Sequence, residues 1–289
     1  MNTKAIYMPN GKAGEYAKYA CNFYIGCSNN CAYCYCKKGV LGHAMGKPIA
    51  TLKKCFKDEK HALEIFRTEL NTYIEELRKH GLFFSFTTDP MLPETRDLHF
   101  QAIDYALSKG VPCQILTKCT EFIYRLPKVW TEHDYYRKKL AFGFTLTGCD
   151  DLEPGASTNG ERIDAMKNLH GLGFKTFASI EPIIKIEKSA EMIGLTLGWC
   201  DLYKIGVLSG DKDYSSDDIR FFMLSLLGAA AFANIALPTS NLGKEINSSQ
   251  VKIYLKDSMY TYSKVDRIKF EEKNKDIRSE EHTSELQSR

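Results

Sequence analysis

The chain has 289 residues, 44% of them hydrophobic and 26% charged, with 39 Lys and Arg against 36 Asp and Glu for a formal charge of +3. These proportions exclude a disordered, collagenous or coiled-coil protein and suit one large domain or two small ones. The charge is uneven: residues 1–57 hold nine lysines and a single acid, Glu15, a weak pointer to a phosphate-bearing partner such as nucleic acid.

The opening residues carry no apolar core of a secretory signal, so the expected location is the cytoplasm, where thiols stay reduced. Of ten cysteines, Cys27, Cys31, Cys34 and Cys36 fall within ten residues, and the other six are scattered singly. The scattered six read as small buried hydrophobes.

In chain order, Asn22–Ile25 reads as a short strand just before the cysteines. Asp58 then caps a helix whose Leu63, Phe66, Leu70, Tyr73, Ile74 and Leu77 recur every three or four residues, and Gly81 ends it. Strand Leu82–Thr87, helix Glu94–Ser108 and strand Pro112–Thr117 follow. After them come strand Leu140–Leu146, helix Gly160–Leu172, strand Phe174–Ile180, helix Lys188–Leu197 and strand Leu202–Leu208. Six strands alternating with helices predict an α/β fold around a parallel sheet, either barrel-like or doubly wound. Polar clusters stand at the carboxyl ends of almost all these strands, which favours the barrel. No Gly-x-Gly-x-x-Gly or P-loop follows a strand.

Phe221–Leu237 is an uncharged run of 17 residues, short for a membrane span and rich in Ala, and reads as a buried helix. Residues 1–240 are expected to form the core, and 241–277 a small lysine-rich C-terminal appendage. Residues 278–289 have no apolar period and look like a translated sequencing-library adapter, which would place a break near Ile277.

Cys27, Cys31 and Cys34 form Cys-x3-Cys-x2-Cys on one loop. Structural zinc takes four protein ligands, usually as two separated pairs, and no second pair of that spacing follows. A [4Fe–4S] cluster held by three cysteines leaves one iron open to a small ligand. A zinc knuckle is the alternative for these three, and Cys36, outside the spacing, reads as an uninvolved thiol.

This motif, with the aromatic Tyr33 directly before its third cysteine, resembles the radical S-adenosylmethionine superfamily. The resemblance implies a partial (β/α)6 barrel, a [4Fe–4S] cluster on Cys27, Cys31 and Cys34, and S-adenosylmethionine on the open iron. It also implies an electron donor of flavodoxin or ferredoxin type and a monomer with no membrane contact. The strings GEYAKYACNFYIGCSNNCAYCYC, FTTDPMLPET, LTK, GFTLTG and EPGAS are similar to the spore photoproduct lyase-like branch.

By that resemblance Tyr33 lies beside the adenine, Thr88 and Asp89 hold the methionyl amino group, and Lys118 reaches the methionyl carboxylate. Thr145 and Thr147 offer hydroxyls to the ribose, and Glu181 either takes a ribose hydroxyl or pairs with Lys185. The branch's hydrogen-returning cysteine is missing from TTDPMLPETRDL, so no catalytic side chain is assigned. The implied activity is hydrogen abstraction by a 5′-deoxyadenosyl radical, on a nucleic-acid lesion or, as alternatives, on a peptide or small metabolite. A metal-bound scaffold without turnover is the reading outside enzymology.

Overall fold

Parallel strands need crossovers of a dozen or more residues, and helices supply most of them in the computed structural model, which describes residues 4–38, 42–236 and 251–273. The chain divides into two units. The first runs to Thr145 and takes in Cys149–Thr176, and the second holds Leu146–Gly148 and the described residues from Phe177.

The first unit contains β1 (Ile6–Tyr7), β2 (Ala20–Cys21), β3 (Tyr24–Ile25), β4 (Thr51–Leu52), β5 (Leu82–Phe84), β6 (Cys113–Thr117) and β7 (Leu140–Thr145). Strands β2, β5, β6 and β7 run parallel in that order, with β1 antiparallel to β2 at the edge. Its helices are α1 (Gly42–Met45), α2 (Glu59–Thr72), α3 (Ile74–His80), α4 (Arg96–Ser108), α5 (Lys128–Glu132), α6 (Asp134–Lys139) and α7 (Asn159–Gly171).

Asp58 caps α2 by accepting from the His61 backbone N–H at 2.7 Å, and Ala62, Leu63, Phe66 and Leu70 turn inward. The predicted single helix breaks at Tyr73, which leaves helical geometry between α2 and α3, and Gly81 ends α3 with φ +71°. Thr158 and Glu161 form a reciprocal capping box at the start of α7.

The predicted strand at residues 22–25 forms only in part. Tyr24–Ile25 pairs antiparallel with β4, while the strand that joins the parallel sheet, Ala20–Cys21, lies just before the predicted one. Asn22 holds the bend between them: its side chain donates to the Tyr7 hydroxyl at 2.7 Å and accepts from the Phe86 N–H at 2.8 Å. The chain enters the cysteine loop from this side hairpin.

The second unit contains β8 (Lys175–Ile183), taken from Phe177, with β9 (Leu202–Val207) and β10 (Lys252–Leu255). All three are parallel, with Leu202 level with Phe177 on one side and Lys252 on the other. Its helices are α8 (Ile186–Thr196), α9 (Ser216–Ala236), α10 (Asp257–Ser263) and α11 (Arg267–Lys273).

Tyr203 faces α8, its hydroxyl sharing a hydrogen bond with Thr196 at 2.9 Å and donating to the Ile193 carbonyl at 3.2 Å. The other face of these strands carries Ser179, Glu181, Lys204, Gly206, Tyr254 and Lys256.

Eight strands thus make up the main sheet orders of the two units, seven of them parallel, in a mixed α/β fold. Three of these lie outside the predicted strands: β1 and β2, whose two residues each leave no periodic signal, and β10, inside the segment 241–277. The boundary at 240 and the tail 278–289 fall outside the described residues. In the first turns of helix α9, Ile219, Phe222, Met223 and Leu226 turn inward while Phe221 and Leu224 are 73% and 53% exposed; the rest of the segment read as a buried helix lies outside the residues whose side chains are described. No helix among the described residues is long and apolar enough to cross a membrane.

Candidate metal centre

The cysteine loop leaves β3 at Ile25, and its backbone is fixed at both flanks. The Cys27 N–H donates to the Lys47 carbonyl at 2.9 Å, the Ala32 N–H to the Leu152 carbonyl at 2.8 Å, and the Gly155 N–H to the Asn29 carbonyl at 3.1 Å. The fit at Gly155 is close enough to exclude a side chain: a Cβ there would lie 2.0 Å from the Ser28 carbonyl oxygen. Cys31 is buried, and Cys27 and Cys34 are partly exposed.

Asp89 ties this loop to the end of β6. Its carboxylate accepts from the Asn29 side chain at 2.7 Å, the Thr117 hydroxyl at 2.6 Å, the Lys118 N–H at 2.7 Å and the Met91 N–H at 2.9 Å. These four bonds tie the Asp89 carboxylate to the cysteine loop, to its own strand end and to β6. Thr88 differs. Its hydroxyl is buried and has no hydrogen-bond partner among the described residues, a costly arrangement that a bound ligand would relieve.

Tyr33 and Lys118 come together, the ammonium 5.7 Å from the ring centre. The Tyr33 hydroxyl donates to Glu153, which also accepts from Arg162. Glu153 and Arg162 are an ion pair with fully buried side chains. Arg162 further donates to the Thr145 carbonyl at 2.5 Å and the Ser157 carbonyl at 2.8 Å. Thr145 therefore serves this pair through its backbone.

Thr147 and Glu181 belong to the second unit. Thr147 is buried, and Glu181 pairs with Lys256, both carboxylate oxygens at 3.0 Å, rather than with Lys185.

Burial, and then the Asp89 charge, pushes the Cys27 thiol up to about 12, and burial likewise raises Cys31. Cys34 moves the other way, to about 6, because the Cys36 thiol donates to its sulfur. Cys36 is thus coupled to a candidate ligand. Burial alone would lower Lys118, but the Cys31 thiolate and the Glu153 carboxylate outweigh it and raise the group. Burial and Glu153 hold the Tyr33 hydroxyl protonated well above its ordinary range.

Among the described residues no three His, Cys, Asp or Glu side chains converge on a single ion. In a cubane each thiolate binds its own iron, so its ligands stand apart, and the donor set here suits iron–sulfur binding. A lysine ammonium beside three thiolates offsets part of their charge.

The sequence reading missed Asn29, Gly155 and the Glu153–Arg162 pair. A signal existed for the last: Arg162 shares the inward face of α7 with Ala165, Met166 and Leu169, and a charge at such a position calls for a buried acid.

No family model matches the chain. It is 28% identical over 177 residues to an uncharacterized protein of Methanocaldococcus jannaschii, covering 58% of this chain and 61% of the relative. The chain thus spans about three fifths of the length of that curated relative. Among solved structures it is similar to SuiB of Streptococcus suis bound to its precursor peptide SuiA, with a TM-score of 0.49 and 11% identity over 71% of this chain and 44% of that one. The crystal structure of SuiB without a named ligand gives a TM-score of 0.45 at 11% identity over 68% and 44%. SuiB bound to S-adenosylmethionine gives 0.40 at 13% identity over 53% and 35%.

Proposed function

We propose that the chain is a radical S-adenosylmethionine enzyme with a partial barrel, in which Cys27, Cys31 and Cys34 hold a [4Fe–4S] cluster. The observation that carries this reading is the seated Cys-x3-Cys-x2-Cys loop with the Lys118 ammonium and the Tyr33 ring beside it. When bound, the cluster supplies the electron that cleaves S-adenosylmethionine to a 5′-deoxyadenosyl radical, the agent of hydrogen abstraction.

The protein's part is to bind and orient. Thr88 presents an unpartnered hydroxyl, Lys118 a cation suited to a carboxylate, and Tyr33 a fixed aromatic face. Thr145, Thr147 and Glu181 are proposed for the ribose. Asp89 is proposed, with Thr88, for the methionyl amino group, and it also anchors the cysteine loop. The spore photoproduct lyase-like assignment, lyase chemistry and an external electron donor belong to the same proposal.

Anaerobic reconstitution should give about four irons per chain. Cys27→Ala, Cys31→Ala or Cys34→Ala should each abolish the visible absorption, and a full cluster in any of them would overturn the ligand set. Incubating the reconstituted protein with S-adenosylmethionine and pools of peptide, DNA or RNA separates the substrate classes by which pool is modified. Iron without 5′-deoxyadenosine in every pool would leave the scaffold reading.

A further inference from the structure

Two arginines are buried among the described residues, Arg96 and Arg162, and only the second is satisfied. Arg162 bonds one carboxylate and two carbonyls. Arg96 is 8% exposed, and its Nε is closed off from solvent with no hydrogen-bond partner among the described residues. Its ion-pair partner there is Asp97, with an oxygen 3.8 Å from Nε, too far for a hydrogen bond, on a side chain that is 80% exposed. A guanidinium keeps its charge at any ordinary pH, and a buried charge without a hydrogen-bonded counterpart is costly to hold.

Arg96 opens α4, a helix of 13 residues. Thr95, at the N-cap, does not cap it: the hydroxyl donates to the Asp89 carbonyl at 2.9 Å instead. The Arg96 N–H is taken by the Leu92 carbonyl at 3.0 Å, and those of Asp97 and Leu98 have no capping side chain. The positive end of the helix is therefore open. A helical side chain leans back over the turn before it, so the Arg96 guanidinium belongs to the same corner as these N–H groups.

That corner lies wholly in the first unit, at the carboxyl ends of β5 and β6, where α/β sheets take their ligands. The segment between β5 and α4 meets the cysteine loop twice. The Asn29 side chain reaches Asp89 at 2.7 Å, and the Ser28 hydroxyl donates to Glu94 at 2.8 Å. One turn along α4 from Arg96, Phe100 meets Trp130 edge to face at 5.4 Å, and the Trp130 indole donates to Asp104 at 3.0 Å, which braces this side of the helix.

We propose that Arg96 and the first turn of α4 form an oxyanion subsite, which takes a phosphate or carboxylate group of the molecule that the candidate centre acts on. The guanidinium offers a planar fork to two oxygens of the anion, and the helix end offers N–H groups and positive potential. Both favour the same charge, and Asp97, mostly in solvent, does not fill the place. The link to the centre rests on the function proposed above, but the subsite can be tested without iron.

The test is thermal unfolding of the full chain in sodium phosphate or sodium acetate, with chloride holding the ionic strength constant. The wild-type midpoint should rise saturably with one of the two anions, and which one acts tells phosphate from carboxylate. Arg96→Met keeps the packing of the stem and removes the buried charge, so in chloride it should unfold no lower than wild type. Its half-saturating anion concentration should be roughly tenfold or more higher, as for the loss of a charge-assisted hydrogen bond. Arg96→Lys, a point charge in place of a fork, should fall between the two. No saturable rise in either anion would overturn the proposal. So would an equal rise in Arg96→Met, the mark of general salting, or an Arg96→Met chain that fails to fold or unfolds well below wild type in chloride. A saturable rise in a chain that never takes up iron keeps the subsite and overturns only the cluster, and a chain that holds its irons without that rise does the reverse.

Discussion

Arg162 shows how much one side chain holds in place. It has no exposed surface, and its guanidinium reaches Glu153, the Thr145 carbonyl and the Ser157 carbonyl. Arg162→Met leaves the Glu153 carboxylate buried and uncompensated, which costs about 3–5 kcal/mol. Urea unfolding should show a loss of that size, and Arg162→Met combined with Glu153→Gln should recover part of it; no loss would mean water reaches the pair. Lys118 makes the opposite kind of prediction. Lys118→Ala should keep the cluster but bind S-adenosylmethionine roughly tenfold more weakly, since a charge-assisted hydrogen bond contributes about 1.5–3 kcal/mol. Equilibrium dialysis of the reconstituted variant checks this, and wild-type affinity would move the carboxylate elsewhere.

At the level of elements, the cysteine loop and the segment Leu152–Gly155 act as one piece. Gly155→Ala places a methyl against the Ser28 carbonyl, so the loop must shift. Its iron content after reconstitution should fall well below wild type while far-ultraviolet circular dichroism stays the same. Full iron content would show that the loop does not need this seat. The three cysteines were legible in the sequence because ligand spacing is local. The seat was not, because the partners of Asn29 and Tyr33 lie 60 and 120 residues away, and no periodicity reports contacts at that range. Helix α2 was legible from its Asp58 cap and its apolar period, and α4, α7 and α8 from period alone, while β1 and β2, two residues each, are too short to alternate.

For the whole molecule, one buried histidine ties stability to pH. His99 packs among Phe23, Tyr24 and Phe84, with Nδ1 on the Thr95 carbonyl at 2.8 Å and Nε2 lacking a hydrogen-bond partner among the described residues. Burial lowers its pKa to about 4, so it stays neutral in the fold and takes up a proton on unfolding. Its contribution is complete above the unfolded value near 6.5 and is lost as pH falls from there to about 4. With about 1.4 kcal/mol per pH unit this amounts to about 3 kcal/mol. Urea midpoints should fall more steeply over that window in wild type than in His99→Phe, and parallel curves would refute the link. The distance between the two halves of the loop seat also sets an order of events in biosynthesis. The cysteines leave the ribosome 120 residues before Glu153, a delay of roughly 6–24 s at ordinary elongation rates. Through that interval three thiols are displayed on an unsupported segment, so under the proposed function iron would load after the chain has passed Arg162, and a nascent chain stalled earlier would present the thiols unseated.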